Sequence, residues 1–142
     1  MSAQNAKIYD FNFPNIDTAS PILINVTSAA VSFGSSSLKI KAGGQEQTTN
    51  FAPIPTNSST LFSTGNSNLS INASESISVE LNYNNNGIPS AKGYMDYIIA
   101  RAKRNLKGFG KQFMFQNQNA ATVLGLGEYQ LTIAAGILQV WI

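Results

Sequence analysis

Apolar and polar residues alternate along most of the chain, and this period of two constrains the fold more than any other feature of the sequence. In the clearest run, Ile77, Val79 and Leu81 alternate with Ser78 and Glu80. Such alternation is typical of a β-strand with one face in a core and the other in water. Similar runs occur at residues 22–33, 38–41, 69–73, 113–116, 129–133 and 138–142.

Turn-forming residues separate these runs. Residues 84–87 read NNNG, and both Asn and Gly tolerate the backbone angles of a tight turn. Residues 51–59 read FAPIPTNSS, and their prolines cannot donate to a sheet, so we expect a loop there. Short strands that recur roughly every 8–12 residues predict an all-β fold, an antiparallel, jelly-roll-like β-sandwich of about 8–10 strands.

The length of 142 residues suits one domain with a core of its own. We expect the sandwich over residues 9–142, preceded by a flexible or vector-derived N-terminus at residues 1–8. The last residues read GILQVWI and carry no polar tail. We therefore expect the domain to be part of a longer protein.

Residues 92–106, KGYMDYIIARAKRNL, fit either a helix or a strand. Ala100 to Arg104 favour a helix that Ser90 would cap, whereas the Tyr and Ile residues at 94–99 prefer a strand. Because the rest of the chain has a β pattern, we predict a strand and keep the helix as the alternative. Met95 and Tyr97 would then lie on one face and Tyr94 and Ile98 on the other. Both faces would be largely apolar, which predicts an inner strand covered on both sides.

The residue inventory excludes most catalytic and metal-binding chemistry. The chain has no Cys, hence no thiolate nucleophile, and no His, which is the usual general base and the commonest metal ligand. One Ser-x-x-Lys motif runs from Ser36 to Lys39, but on a strand these two residues would point to opposite faces. We predict no catalytic residue, no metal site and no cofactor.

Two acidic residues lie beside aromatic residues in strand-like segments, Asp96 and Glu128. An unpaired charge in a core is costly, so we interpret these acids as structural, either as a core ion pair, in which Arg101 or Arg104 would pair with Asp96, or as a carboxylate bonded to a loop. The weaker alternative is a role in glycan or metal binding.

Six of the nine basic residues fall in one stretch of 20 residues, with Tyr94 and Tyr97 among them: Lys92, Arg101, Lys103, Arg104, Lys107 and Lys111. Cations mixed with aromatic rings suit a polyanion. A simpler interpretation is that these residues form a solvated edge that discourages pairing between sheets. A third interpretation is that they dock to a neighbouring domain.

Several short motifs occur in an order that resembles one region of a known family. They are FNFPNI (11–16), LNYNNNGIPSAKGYMDYI (81–98), AKRNL (102–106), KQFMFQNQ (111–118), GLGEYQL (125–131) and QVW (139–141). This order resembles the PorU-type proteins, gingipain-like cysteine peptidases that serve as the signal-removing sortase of type IX secretion in Bacteroidetes. The resemblance is strongest in the second half of the chain.

The resemblance implies a β-sandwich that precedes a caspase-like catalytic domain on the outer-membrane-associated cell surface. The catalytic His and Cys of that family have no counterpart in this chain. We therefore expect a non-catalytic module that positions the catalytic domain or docks neighbouring domains. The candidate contacts between domains are apolar residues near the two ends: Phe11, Phe13, Trp141 and Ile142.

The alternative function is a carbohydrate-binding or lipopolysaccharide-binding jelly roll. Its candidate stacking rings are Tyr94, Tyr97 and Trp141, with Tyr9 and Tyr129 as further rings to inspect. The six basic residues would contact an anionic lipopolysaccharide. Two or more coplanar exposed rings beside amide groups would favour this function. A nucleic-acid partner is not expected, because a net charge of +2 is small.

Overall fold

A computed structural model of the chain describes residues 6–57, 59–108, 114, 115 and 130. These residues contain no helix, and therefore none that could cross a membrane. They form seven β-strands: β1 (Lys7–Asn12), β2 (Ile22–Val31), β3 (Ser36–Ala42), β4 (Gln45–Phe51), β5 (Ser63–Ile71), β6 (Ser76–Asn84) and β7 (Lys92–Arg101).

The strands form two antiparallel sheets that pack face to face. One sheet has four strands in the order β1-β6-β3-β4, and the other has three in the order β5-β2-β7. Consecutive strands mostly belong to different sheets, so the chain crosses the core repeatedly and the two sheets cannot fold as separate units. The prediction of an all-β, antiparallel sandwich is confirmed. Its finer part, a jelly roll of eight to ten strands, concerns the whole chain and stays a prediction.

The core lies between the sheets and follows the alternation in the sequence. Ile22, Ile24 and Val26 of β2 face Ile40 of β3 and Leu81 of β6, and all five side chains are buried. Burying a side chain of this size stabilises the fold by about 1.5–3 kcal/mol. The residues between them along each strand point outward, so each sheet also presents one face to solvent.

The chain segments that follow β1 and β7 meet and close one end of the sandwich. Ile16 and Arg104 form an isolated antiparallel bridge. Beside it, the Asp17 N–H donates to the Lys103 carbonyl at 2.9 Å, and the Asn105 N–H donates to the Asn15 carbonyl at 2.9 Å. This contact fixes the C-terminal end of β7 against the other sheet.

Two strands lie where the alternation did not predict them. β4 reads QEQTTNF, and Phe51 is its one apolar residue, so its polar sequence conceals a strand. β1 begins at Lys7, so Lys7 and Ile8 belong to a strand and not to the flexible N-terminus in which we expected them. The hydrogen bonds to β3 and β6 hold these two strands in the sheet, and backbone pairing needs no apolar side chain.

Residues 92–101 form a strand, as predicted, but the expectation that both faces of this strand are covered is wrong, because Tyr94 and Tyr97 are exposed. Among the described residues, β7 is the outermost strand of the three-stranded sheet, and one of its faces is exposed. The apolar residues on both sides of the strand have another explanation, a change of register at Asp96.

Candidate ligand-binding face

The ladder between β2 and β7 contains a β-bulge at Asp96. Thr27 is paired with Tyr97, whereas the next residue of β2, Ser28, is paired with Met95. Asp96 is therefore an extra residue without a partner on β2. A bulge of this kind bends the strand and redirects the side chains that follow it.

The bulge places Tyr94 and Tyr97 on the same face of the sheet. In a regular strand, residues three apart point to opposite faces. Here Met95 and Ile98 pack against the core, whereas the two tyrosines are 50% and 44% exposed. Because their partners on β2, Ala29 and Thr27, are two residues apart, the tyrosine Cα atoms are about 7 Å apart along the strand.

Amide side chains of β2 and β5 occupy the rest of this face. The Asn25 Nδ2 group donates to Asn66 Oδ1 at 2.7 Å and to Asn68 Oδ1 at 2.8 Å. Asn66 Nδ2 in turn donates to Thr27 Oγ1 at 3.1 Å. These bonds hold the carboxamides in fixed orientations. We call this surface the tyrosine–amide face and define it by six residues: Asn25, Thr27, Asn66, Asn68, Tyr94 and Tyr97.

A close contact between the sheets supports the strand that carries the tyrosines. A Cβ atom built on Gly93 would lie 2.5 Å from Cδ2 of the buried Tyr83 ring, so only glycine allows this approach. Tyr83 belongs to β6 of the opposite sheet. The Tyr83 ring therefore sets the distance between β7 and the core at Gly93, the residue before Tyr94.

The predicted basic cluster is divided among several places. Lys92 and Arg101 are exposed at the two ends of β7, whereas Lys103 and Arg104 lie in the segment that closes the sandwich. Lys107 is half-buried, and Lys111 lies outside the described residues. The structure thus brings no compact cluster together from the described members, and their role in polyanion binding stays a prediction.

Asp17 occupies the same closing segment. Hydrogen bonds from the Ser20 hydroxyl at 2.8 Å and the Ala19 N–H at 3.0 Å lower the pKa of its carboxyl group below the ordinary value, and the charge of Lys103 adds to this effect. These bonds fold the chain into a local turn, so we assign Asp17 a structural role.

The buried ion pair predicted for Asp96 is wrong, because Asp96 is exposed at the bulge. Its companion in that prediction, Glu128, lies outside the described residues. Ser36 is buried and Lys39 points outward, so the Ser-x-x-Lys pair lies on opposite faces as predicted. Within the described ranges, no group of three His, Cys, Asp or Glu residues could hold a metal ion.

The remaining aromatic candidate among the described residues, Tyr9, lies on the other sheet and not on the tyrosine–amide face. Tyr9, Phe11 and Phe13 are partly buried and pack against the core, and a contact between the two phenylalanines and a neighbouring domain stays a prediction. Their positions alternate on β1 and its extension, which directs all three rings inward. Three candidates lie outside the described residues: Tyr129, Trp141 and Ile142.

Sequence reasoning selected Tyr94 and Tyr97 but missed the amides. Asn25, Asn66 and Asn68 alternate with buried residues on their strands, and this period of two is the signal that could have found them. Nothing in the sequence aligns β5 with β2, however, because Asn25 and Asn66 are 41 residues apart.

An open cleft of about 410 Å³ lies on the opposite side of the sandwich, at the turn between β3 and β4. Three charged residues, Lys41, Glu46 and Glu80, line it together with Ile8. The cleft is shallow, and no aromatic ring is among its lining residues. The tyrosine–amide face therefore offers the better ligand site.

Comparison with known proteins yields a structural likeness only. No protein-family model matches the chain, and no curated protein matches it. The crystal structure of dimeric latent PorU from Porphyromonas gingivalis matches with a TM-score of 0.59 at 15% sequence identity. The match covers 75% of this chain and 11% of that one. At this identity the likeness shows the fold alone.

Proposed function

We propose that this chain is a non-catalytic β-sandwich module of a PorU-like cell-surface cysteine peptidase. Its role is to hold the catalytic domain and the neighbouring modules in position. The observation that carries the proposal is the shared fold, since three quarters of this chain superimpose on a small part of PorU. The order of motifs from FNFPNI to QVW supports the same parent.

The residues themselves favour a structural role over a catalytic one. The chain lacks both His and Cys. Ser36 and Lys39, which are in the one Ser-x-x-Lys motif considered above, cannot meet across the sheet. Location at the outer-membrane-associated cell surface is part of the same proposal and rests on the resemblance.

The gene region that follows codon 142 tests the parentage. We expect it to encode a peptidase domain that contains a catalytic His and Cys. If it does, the module and that domain should co-elute when they are produced as separate chains. A following region without such a domain would contradict the proposed parent. Turnover of a peptide substrate by this chain alone would contradict its non-catalytic role.

The second candidate function is carbohydrate binding, and the tyrosine–amide face is the observation that favours it. Two rings about half exposed lie on one face beside three asparagines. An aromatic ring offers its flat side to the C–H groups of a sugar, and an amide both donates to and accepts from hydroxyl groups. A non-catalytic module can carry both functions when its contacts with neighbouring domains leave the tyrosine–amide face open.

Affinity electrophoresis in gels that contain soluble polysaccharides or purified lipopolysaccharide tests the second candidate. We expect at least one of these gels to retard the chain and the Tyr94→Ala variant to lose the retardation. Lys41→Ala, on the opposite sheet, is the matched control and should migrate like the wild-type chain. Equal migration of wild type and Tyr94→Ala in every gel would exclude the tyrosine–amide face as a glycan site.

A further inference from the structure

We propose that the tyrosine–amide face binds one linear, uncharged glycan chain that lies along β7, and that the bulge at Asp96 sets the spacing of its two stacking rings. This inference rests on the proposed carbohydrate-binding function and adds the class of ligand, its direction and the element that determines its fit. Tyr94 and Tyr97 stack on neighbouring sugar units of the same chain.

The bulge is the first reason. Without it, the alternation of β7 would send Tyr97 into the core beneath the face, and Ile98 would point outward. With it, Ile98 fills the core position and Tyr97 joins Tyr94 at the surface. The ladder to β2 loses one regular pair at this point. Bulges are frequent beside binding sites because they redirect a side chain in this way.

The direction of the ligand follows from the order of groups on the face. The two tyrosines are arranged along β7, and the asparagines of β2 and β5 lie on one side of that line. A chain laid along β7 would place its ring faces on the phenol rings and the hydroxyl groups at one edge against the carboxamides. A chain laid across the strands would cover only one of the two rings.

The charge of the face selects an uncharged ligand. Lys92 and Arg101 lie at opposite ends of β7, nine residues and about 30 Å apart, and Asp96 lies between them. The two positive charges therefore lie at opposite ends of the strand and do not converge on the rings, and the charged residue next to Tyr97 along the chain is an acid, Asp96. A nucleic acid or a dense polyanion needs several cations along its backbone.

The preorganised amides add to the specificity of the site. Both hydrogens of Asn25 Nδ2 are used within the network, so the carboxamides meet a ligand without first losing rotational freedom. Asn68 Nδ2 makes one long contact of 3.5 Å to Asn66 Oδ1, so it is the donor most easily diverted to a sugar hydroxyl.

Titration of the 142-residue chain with oligosaccharides of increasing length tests the inference. The probes are cello-, xylo- and chito-oligosaccharides from the monosaccharide to the hexasaccharide, followed by calorimetry. For at least one series we expect the affinity to rise about tenfold or more until both rings are covered and then to reach a plateau. Adding 1 M NaCl should leave this affinity unchanged within about twofold, because the contacts are uncharged.

Variants separate the two rings from the bulge. Tyr94→Ala and Tyr97→Ala should each lower the affinity for the longest oligosaccharide about tenfold and abolish the dependence on length. Deletion of Asp96 should do the same, because a regular strand would turn Tyr97 inward. Asp96→Asn keeps the extra residue, so it should retain the length dependence, and Lys39→Ala on the other sheet should behave as wild type.

The outcomes distinguish this inference from the function on which it rests. If no oligosaccharide or polysaccharide binds, the carbohydrate-binding function itself is wrong. If a monosaccharide binds as tightly as a hexasaccharide, or if Tyr97→Ala binds like the wild type, glycan binding stands and the two-ring site is overturned. If the deletion of Asp96 prevents folding, the two tyrosine variants still decide between these results.

Discussion

The outer faces of the two sheets are built from the same alternation but differ in character. On the four-stranded sheet, outward side chains pair with one another: Lys39 Nζ lies 3.6 Å from Glu46 Oε1, and the Ser78 hydroxyl donates to Asp10 Oδ1 at 2.6 Å. On the three-stranded sheet, the outward positions carry the amide network and half-exposed aromatic rings, with the exposed side chains of Leu23 and Ile99 on the same sheet. Both faces cover the same core, so folding alone does not explain the difference.

This difference between the two outer faces is the reason for proposing the tyrosine–amide face as the ligand site. Charged side chains on a sheet surface favour solubility and discourage association, and the pair of Lys39 and Glu46 gives the four-stranded face this character. Two tyrosines exposed to water bring no packing advantage to the core. A bulge that exposes the second tyrosine also sacrifices a regular pair in the sheet. The three-stranded face therefore carries features that stability does not require.

The largest expected effect concerns the contact that joins the two sheets below the tyrosine–amide face. Gly93→Ala would place a methyl group against the Tyr83 ring, so we expect the free energy of unfolding to fall by about 1–3 kcal/mol. Urea denaturation measures this change. The neighbouring Lys92→Ala is the control and should stay within about 0.5 kcal/mol of the wild type. Equal stability of both variants would show that β7 does not rest on Tyr83.

A smaller effect is expected from the amide network. Asn25→Ala removes two hydrogen bonds, but water can replace them on an exposed face, so the loss of stability should be about 0.5–1.5 kcal/mol. Asn82→Ala, on the outer face of the other sheet, is the matched control. A loss in Asn25→Ala no greater than that of the control would mean that the carboxamides are not held in a network.

The smallest effect is expected on the charged face. The Lys39 and Glu46 side chains are 45% and 58% exposed, so their pairing should contribute only about 0.2–1 kcal/mol in a double-mutant cycle. This coupling should decrease as salt is added, because the charges lie in solvent. A coupling energy that stays constant from low to high salt would contradict the picture of a solvated face.

Much of the fold could be predicted from the sequence, because burial imposes its period on the strands. The alternation located β2, β3 and β6, and the Tyr and Ile residues identified β7 as a strand. It could not locate β4, whose residues Gln45 to Asn50 are all polar and which is held by backbone bonds to β3. The alternation also did not show that one face of β7 is exposed.

The wrong prediction for β7 and the incomplete prediction of the site have one cause, which is that both depend on how the strands pair. Apolar residues on both sides of β7 suggested a strand covered on two faces, whereas the alternation changes phase at Asp96. The position of a bulge is defined by how a strand pairs with its partner. It therefore cannot be read from the sequence of β7 alone. The asparagines come from β2 and β5, so only the tertiary pairing brings them beside the tyrosines.

Hydroxyl-radical footprinting of the intact chain, read by mass spectrometry, tests the phase change at Asp96 most directly. The account predicts that Tyr94 and Tyr97 are oxidised at comparable rates and much faster than Tyr83, which is 2% exposed and serves as the internal reference. Protection of Tyr97 to the level of Tyr83, with Tyr94 still reactive, would mean that β7 alternates regularly and that the two rings never share a face.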